Sequence, residues 1–266
     1  MPSTSSSGTP LNDAGLLILW GAIDPDTTDE NALNDWWTNE HLPERLRLPG
    51  FQRARRYRAL ESPEYLAWYE VSNVRDMASQ EYLEALNKPT PRTKYFMPCL
   101  AAMNRSACKF LWSKQMATES AAPGDGPAQY LILVVVRSTS ASETLHLLKR
   151  QLEGSPIANI GVSQIHLAAE DSNITSAGSS SKSYDGVQFS QRPVRDDGHA
   201  TGKFMVLFEL SLREPATTPA AKHWVADIAK HIGWTELHVE YIKTYELICS
   251  MDESEVVSAD ARLASD

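Results

Sequence analysis

The residues best placed to do chemistry lie in one run, Trp36-Trp37-Thr38-Asn39-Glu40-His41-Leu42-Pro43, which leads through Leu48-Pro49-Gly50 into Phe51-Gln52-Arg53-Ala54-Arg55-Arg56-Tyr57. An imidazole titrates near neutral pH, so His41 can take or give a proton under ordinary conditions. Helical spacing up to Trp37 and a proline at 43 predict that a helix stops just after His41, with a strand following the Leu-Pro-Gly turn. Such a junction holds the backbone while the ring faces a cleft. The bland alternative is a histidine that only caps helix carbonyls. Glu40 points about 100° away around the helix, so a solvated face is expected for it.

The other candidates lie on strands. Along residues 51–60, Arg53, Arg55 and Tyr57 share one face, and Arg56 and Arg58 the other. An arginine turned between two sheets needs an anion, either a protein carboxylate or a phenolate or acid substrate; an edge strand would leave it in water. Tyr69 and Glu70 stand on opposite faces of residues 65–71, and a buried Glu70 must pair, an arginine being the natural partner. His166 alternates with Gln164 and Ala168 and can enter the same space. Trp20, Trp36, Trp37 and Trp68 read as packing, with one of them available to line a pocket.

Several chemistries lack their signatures. The sequence has no H-x-H or HExxH spacing for a metal and no glycine-rich loop for phosphate or dinucleotide; no G-x-S-x-G or paired Cys/His arrangement marks a covalent nucleophile. Nothing marks a proximal haem ligand. No cofactor is therefore expected. A formal charge of -9 over 266 residues argues against nucleic acid as the main partner. Cys99, Cys108 and Cys249 are widely spaced and read as reduced thiols in a cytoplasmic protein. Residues 1–10 have the composition of a disordered leader, not of a signal peptide, and no apolar run approaches a membrane span. The expected partner is a small-molecule substrate, with a homodimer left open.

The elements that must position these residues come in a repeated order. Strand, helix, strand, strand, helix, strand is read at residues 15–23, 29–43, 51–60, 65–71, 75–87 and 106–114, and again at 129–137, 142–152, 160–168, 203–210, 220–232 and 238–249. This is α+β, two tandem ferredoxin-like (βαββαβ) modules. Helices cover one face of each antiparallel sheet, so the two sheets are expected to pack face to face as a closed α/β barrel with a pocket between them. The expected boundaries are a leader at 1–14, a first module at 15–116 carrying the site, a linker at 117–128, a second module at 129–250 and a frayed tail at 251–266. An insertion at 170–201 is expected to be disordered in its Ser-rich start, 176–183, and to fold its second half over the pocket mouth.

Trp37-x-x-Glu40-His41-Leu42-Pro43, then Leu48-Pro49-Gly50-Phe51 and the aromatic strand with Tyr57, resembles the EthD-like branch of the dimeric α/β-barrel superfamily. The likeness covers about residues 16–74; the second module shares only the element order. The resemblance implies a pocket with His41 as proton-transfer residue and a single surviving site. The family holds dehydratase-type lyases, cofactor-independent monooxygenases of aromatic polyketides, and ring-forming and isomerising enzymes. The expected function is thus a cofactor-independent lyase or isomerase (dehydratase, cyclase or decarboxylase-like) on a small polyketide-type secondary metabolite. His41, Tyr57 and Glu70 are the catalytic candidates, and Trp37, Arg55, Tyr69 and His166 the substrate-binding ones. The alternatives are a cofactor-free monooxygenase of an aromatic substrate and a non-catalytic small-molecule-binding protein.

Overall fold

Alternation of side chains decides how the strands bury themselves. The computed structural model describes residues 13–116, 127–138, 140–154, 162–190, 202–210 and 238–263. Its strands are β1 (Gly15–Ile23), β2 (Phe51–Ala59), β3 (Glu64–Val71), β4 (Leu100–Gln115), β5 (Tyr130–Ser138), β6 (Val162–Glu170), β7 (Gly202–Leu210) and β8 (His238–Asp252). They close into one antiparallel barrel in the order β1-β3-β2-β8-β5-β7-β6-β4. Read around the barrel, β4-β1-β3-β2 and β8-β5-β7-β6 are two ferredoxin-like sheets of identical order. Their seams are β2 against β8 and β4 against β6, so the chain closes on itself and hides the edges a single sheet would expose.

On β1, Leu17 and Leu19 face outward onto α1 (Glu30–Trp36), burying Leu33 and Trp36, while Leu16, Ile18 and Trp20 face inward. Inside, they meet Tyr57, Leu66 and Trp68 of the first sheet and Leu131, Leu133, Met205 and Leu207 of the second. These side chains fill the middle of the space between the sheets, so the pocket expected there is confined to the ends of the barrel. An eight-stranded barrel is just wide enough for its own side chains, and cavities of about 200 Å³ and 190 Å³ open at its two mouths. Outside the first sheet lie α1, α2 (Leu42–Leu46), α3 (Gln80–Asn87) and α4 (Pro91–Phe96); α5 (Ala141–Gly154) buries Leu148 and Leu152 on the second. The helix expected at 220–232 and most of the linker lie outside the described residues.

Three expectations are corrected. The helix carrying His41 does not stop at Pro43 but runs on to Leu46. The Ser-rich start of the insertion is a helix, α6 (Ser172–Ser179), capped by Asp171, which accepts from the backbone N–H groups of Asn173 and Ile174. It docks on the first module through the Ala107 N–H, which donates to the Thr175 hydroxyl, and in the turn after it the Ser183 hydroxyl donates to the Leu86 carbonyl. Residues 191–201 lie outside the described residues. The tail is likewise no frayed end. A helix at Glu253–Leu263, with acids in its first turn where the dipole favours them, buries Val256 and pairs Asp260 with Arg47 at 2.7 Å. Among the described residues no helix is long and apolar enough to cross a membrane.

Candidate functional site

The sequence candidates fall on opposite sides of the first sheet, some under its helices and some inside the barrel. Asp29 caps α1 by accepting from the Ala32 N–H, and α1 passes into a π-turn at Trp37–His41, where the Leu42 N–H reaches back to the Trp37 carbonyl. Pro43 then falls in the first turn of α2, where its missing N–H leaves no bond unmade. The wider turn thus absorbs the proline and keeps His41 in mid-helix, facing the sheet. Such π-turns occur frequently at functional sites.

His41 is 8% exposed, with its ring 4.9 Å from that of Trp36. Burial first, and then the Arg45 and Arg56 guanidiniums, push its pKa well below the ordinary histidine value. The neutral ring is therefore the resting form at pH 7, and the neutral form is the one that acts as base. Its Nδ1 stands 3.7 Å from Glu44 Oε2 and makes no hydrogen bond to the described residues. Burial raises the pKa of Glu44. Arg45, one helical turn beyond His41 and so on the same face, is 4% exposed, and its Nε and Nη1 lack hydrogen-bond partners among the described residues. The same holds for Trp37 Nε1.

Tyr69 joins this layer from β3, its hydroxyl pKa raised by burial. Arg56, fully buried, donates to Thr38 and to Asn34 and lies 4.8 Å over the Trp37 ring. Arg105 donates to the Tyr82 hydroxyl at 3.1 Å and lies 5.7 Å over Tyr184. Glu40 is not the solvated acid expected: it accepts from Thr90 at 2.7 Å and Arg92 at 3.3 Å, tying the π-turn to α4.

Arg55, Tyr57, Glu70 and His166 point the other way, into the barrel. The Arg55 Nη1 donates to Glu209 Oε1 at 2.7 Å, its Nη2 lies 3.6 Å from Glu70, and the guanidinium sits 4.9 Å over Trp68. His166 Nε2 stands 2.8 Å from the same Glu209 oxygen, and its Nδ1 3.1 Å from Ser113 Oγ. Burial alone would raise the pKa of Glu209, but the His166 hydrogen bond and the Arg55 charge outweigh it and hold the carboxyl below its usual range. Tyr57 lies deeper, its hydroxyl unpaired among the described residues and its pKa raised by burial. Arg55, Glu70, His166 and Glu209 line the mouth cavity of about 200 Å³.

A single site joining His41 to Tyr57, Arg55, Glu70 and His166 is therefore excluded by alternation: the sheet stands between them. Sequence reading also missed two residues. Arg45 lay in the stretch that Pro43 was expected to break, although its spacing of four from His41 was the available signal. Glu209 was hidden in an apolar strand, where its place in the inward series Met205, Leu207, Glu209 marked it.

No family model matches the sequence, and no curated protein sequence matches it. Solved structures do match. An anthrone oxidase-like protein aligns at 10% identity over 92% of this chain and 96% of its own, with a TM-score of 0.57. A heme-binding protein from Thermus thermophilus aligns at 12% identity over 94% and 98%, with a TM-score of 0.44. A ferredoxin fold protein related to antibiotic biosynthesis monooxygenases, from Listeria monocytogenes, aligns at 11% over 88% and 94%, with a TM-score of 0.37. The first of these likenesses bears on fold alone, and agrees with the strand order in defining a single-chain ferredoxin-like α/β barrel.

Proposed function

We propose that the chain is a small-molecule enzyme of the EthD-like kind, in which His41 removes and returns a proton on a bound phenol, acid or enolisable ketone. The observation that carries this reading is the buried pair of His41, kept neutral, and Arg45, whose guanidinium has two nitrogens unpartnered among the described residues. A carbon acid loses its proton more easily when the charge that develops on its oxygen meets a fixed cation in a dry site. Arg45 would supply that cation and His41 Nδ1 would take the proton. Trp36, Trp37 and Tyr69 are buried in the same layer as this pair, and aromatic neighbours of that kind would suit a flat, polyketide-type substrate. The chemistry that follows is a lyase or isomerase step: dehydration, cyclisation or decarboxylation without a cofactor.

Simple carbon acids can stand in for the natural substrate in the test. Aromatic ketones and β-keto acids incubated with the protein in deuterated water should exchange their acidic C–H for deuterium. His41→Gln should lower that exchange by on the order of 100-fold or more while the protein stays folded. An active Gln variant would reduce His41 to a positioning role. Ligand binding without exchange would favour the non-catalytic reading. The same carbanion meeting dioxygen would make the protein an oxygenase, so products formed in air and under nitrogen should be identical if the lyase or isomerase reading is right.

A further inference from the structure

The barrel mouth holds a second set of groups that the His41 chemistry does not use. The β4 and β6 register sets Ser113 directly opposite His166, and the β6 and β7 register sets Gln164 opposite Glu209. The hydrogen-bond directions then follow from one fact: an ionised carboxylate only accepts. Glu209 is held ionised beside Arg55, so His166 Nε2 must carry the proton and donate to it at 2.8 Å. In the neutral ring the other nitrogen, Nδ1, can accept from Ser113 O–H, 3.1 Å away. Gln164 Nε2 donates to Ser113 Oγ at 3.3 Å. The ring is packed edge-on to Trp68, with centroids 5.2 Å apart, and beside Phe110 at 5.6 Å. All five polar side chains line the cavity of about 200 Å³.

We propose that Ser113, His166 and Glu209 form a nucleophilic triad that cleaves esters of short acyl chains. A serine becomes a nucleophile when a neutral imidazole takes its proton and an acid fixes the tautomer and orientation of that imidazole. Here the seam between the two modules assembles the triad, with Ser113 from the first and His166 and Glu209 from the second. Ser113 Oγ bonds to the carbonyl carbon and its proton passes to His166 Nδ1, while the Gln164 amide meets the oxyanion. The bond to the leaving alcohol breaks as His166 returns the proton to it. Water, deprotonated by the same nitrogen, then attacks the acyl-serine, releasing the carboxylic acid and restoring Ser113. Leu16, Trp68 and Phe110 form the apolar wall for the acyl group, and the cavity size keeps that group short.

The whole chain should react with a small fluorophosphonate probe at one residue, Ser113, as read by intact mass and peptide mapping. Ser113→Ala should abolish the adduct, and His166→Gln should slow its formation by on the order of 100-fold or more. Para-nitrophenyl acetate should show a burst of one equivalent of nitrophenolate that Ser113→Ala lacks. Absence of an adduct on Ser113, or labelling of His166→Gln at the parent rate with its circular dichroism unchanged, would overturn the proposal.

Discussion

Two buried polar regions flank the same sheet and differ in whether their groups satisfy one another. At the barrel mouth, Arg55, Glu209, His166 and Ser113 form a continuous chain of hydrogen bonds, with Arg55 Nε the one member left without a partner among the described residues. Under the helices, His41 Nδ1, Arg45 Nε and Nη1 and Trp37 Nε1 have no such partners among the described residues. The two cases carry different physics. A buried charge held by short hydrogen bonds has recovered much of its desolvation cost inside the protein, whereas one held only by a looser contact, as Arg45 is by Glu44 at 3.6 Å, has recovered less of it. On the two proposals above, the first arrangement orients a hydroxyl and the second would receive an oxyanion.

The largest effect should come from breaking the paired region. Glu209→Ala strands Arg55 and His166 in the barrel, and should lower unfolding free energy by about 3 to 5 kcal/mol in denaturant titration. A loss below about 1 kcal/mol would mean that water already serves those groups, and the contrast between the regions would collapse. Next comes the unpaired region. Arg45→Met removes a buried cation whose Nη2 lies 3.6 Å from Glu44 but whose Nε and Nη1 have no hydrogen-bond partner among the described residues, so stability should stay within about 1 kcal/mol of the parent or rise, while C–H exchange of bound carbon acids is lost. A fall of more than about 3 kcal/mol would show that Arg45 is a structural member of the layer.

Much of the barrel was legible because its signal is periodic. Alternation on β2 correctly separated Arg55 and Tyr57 from Arg56 and Arg58, and alternation on β3 separated Tyr69 from Glu70. What alternation could not supply was which face was which, since that depends on where the helices land. Pro43 misled because a proline ends a regular helix, and a single wider turn is invisible in residue types. Helix α6 was hidden because serine disfavours helix interiors; it forms through the Asp171 cap and through bonds to β4, both of which arise in the folded chain. The Ser113, His166 and Glu209 set was beyond reach for the same reason. No fixed spacing links the three, and only the register across the β4 and β6 seam brings them together.

The chemistry proposed for the helix layer needs His41 to be a neutral, buried base, and titration of its ring by nuclear magnetic resonance tests this directly. With His41 assigned by comparison with His41→Gln, carbon and nitrogen shifts should be those of a single neutral ring from pH 8 down through about 6.5, the ordinary histidine midpoint, with protonation only at more acid pH. Burial lowers this folded-state pKa, so protonation of the unfolded chain should erode stability as pH falls below that midpoint. A midpoint at or above about 6.5 would contradict this reading, because His41 would then be a solvated or ion-paired side chain and the helix layer would hold no base.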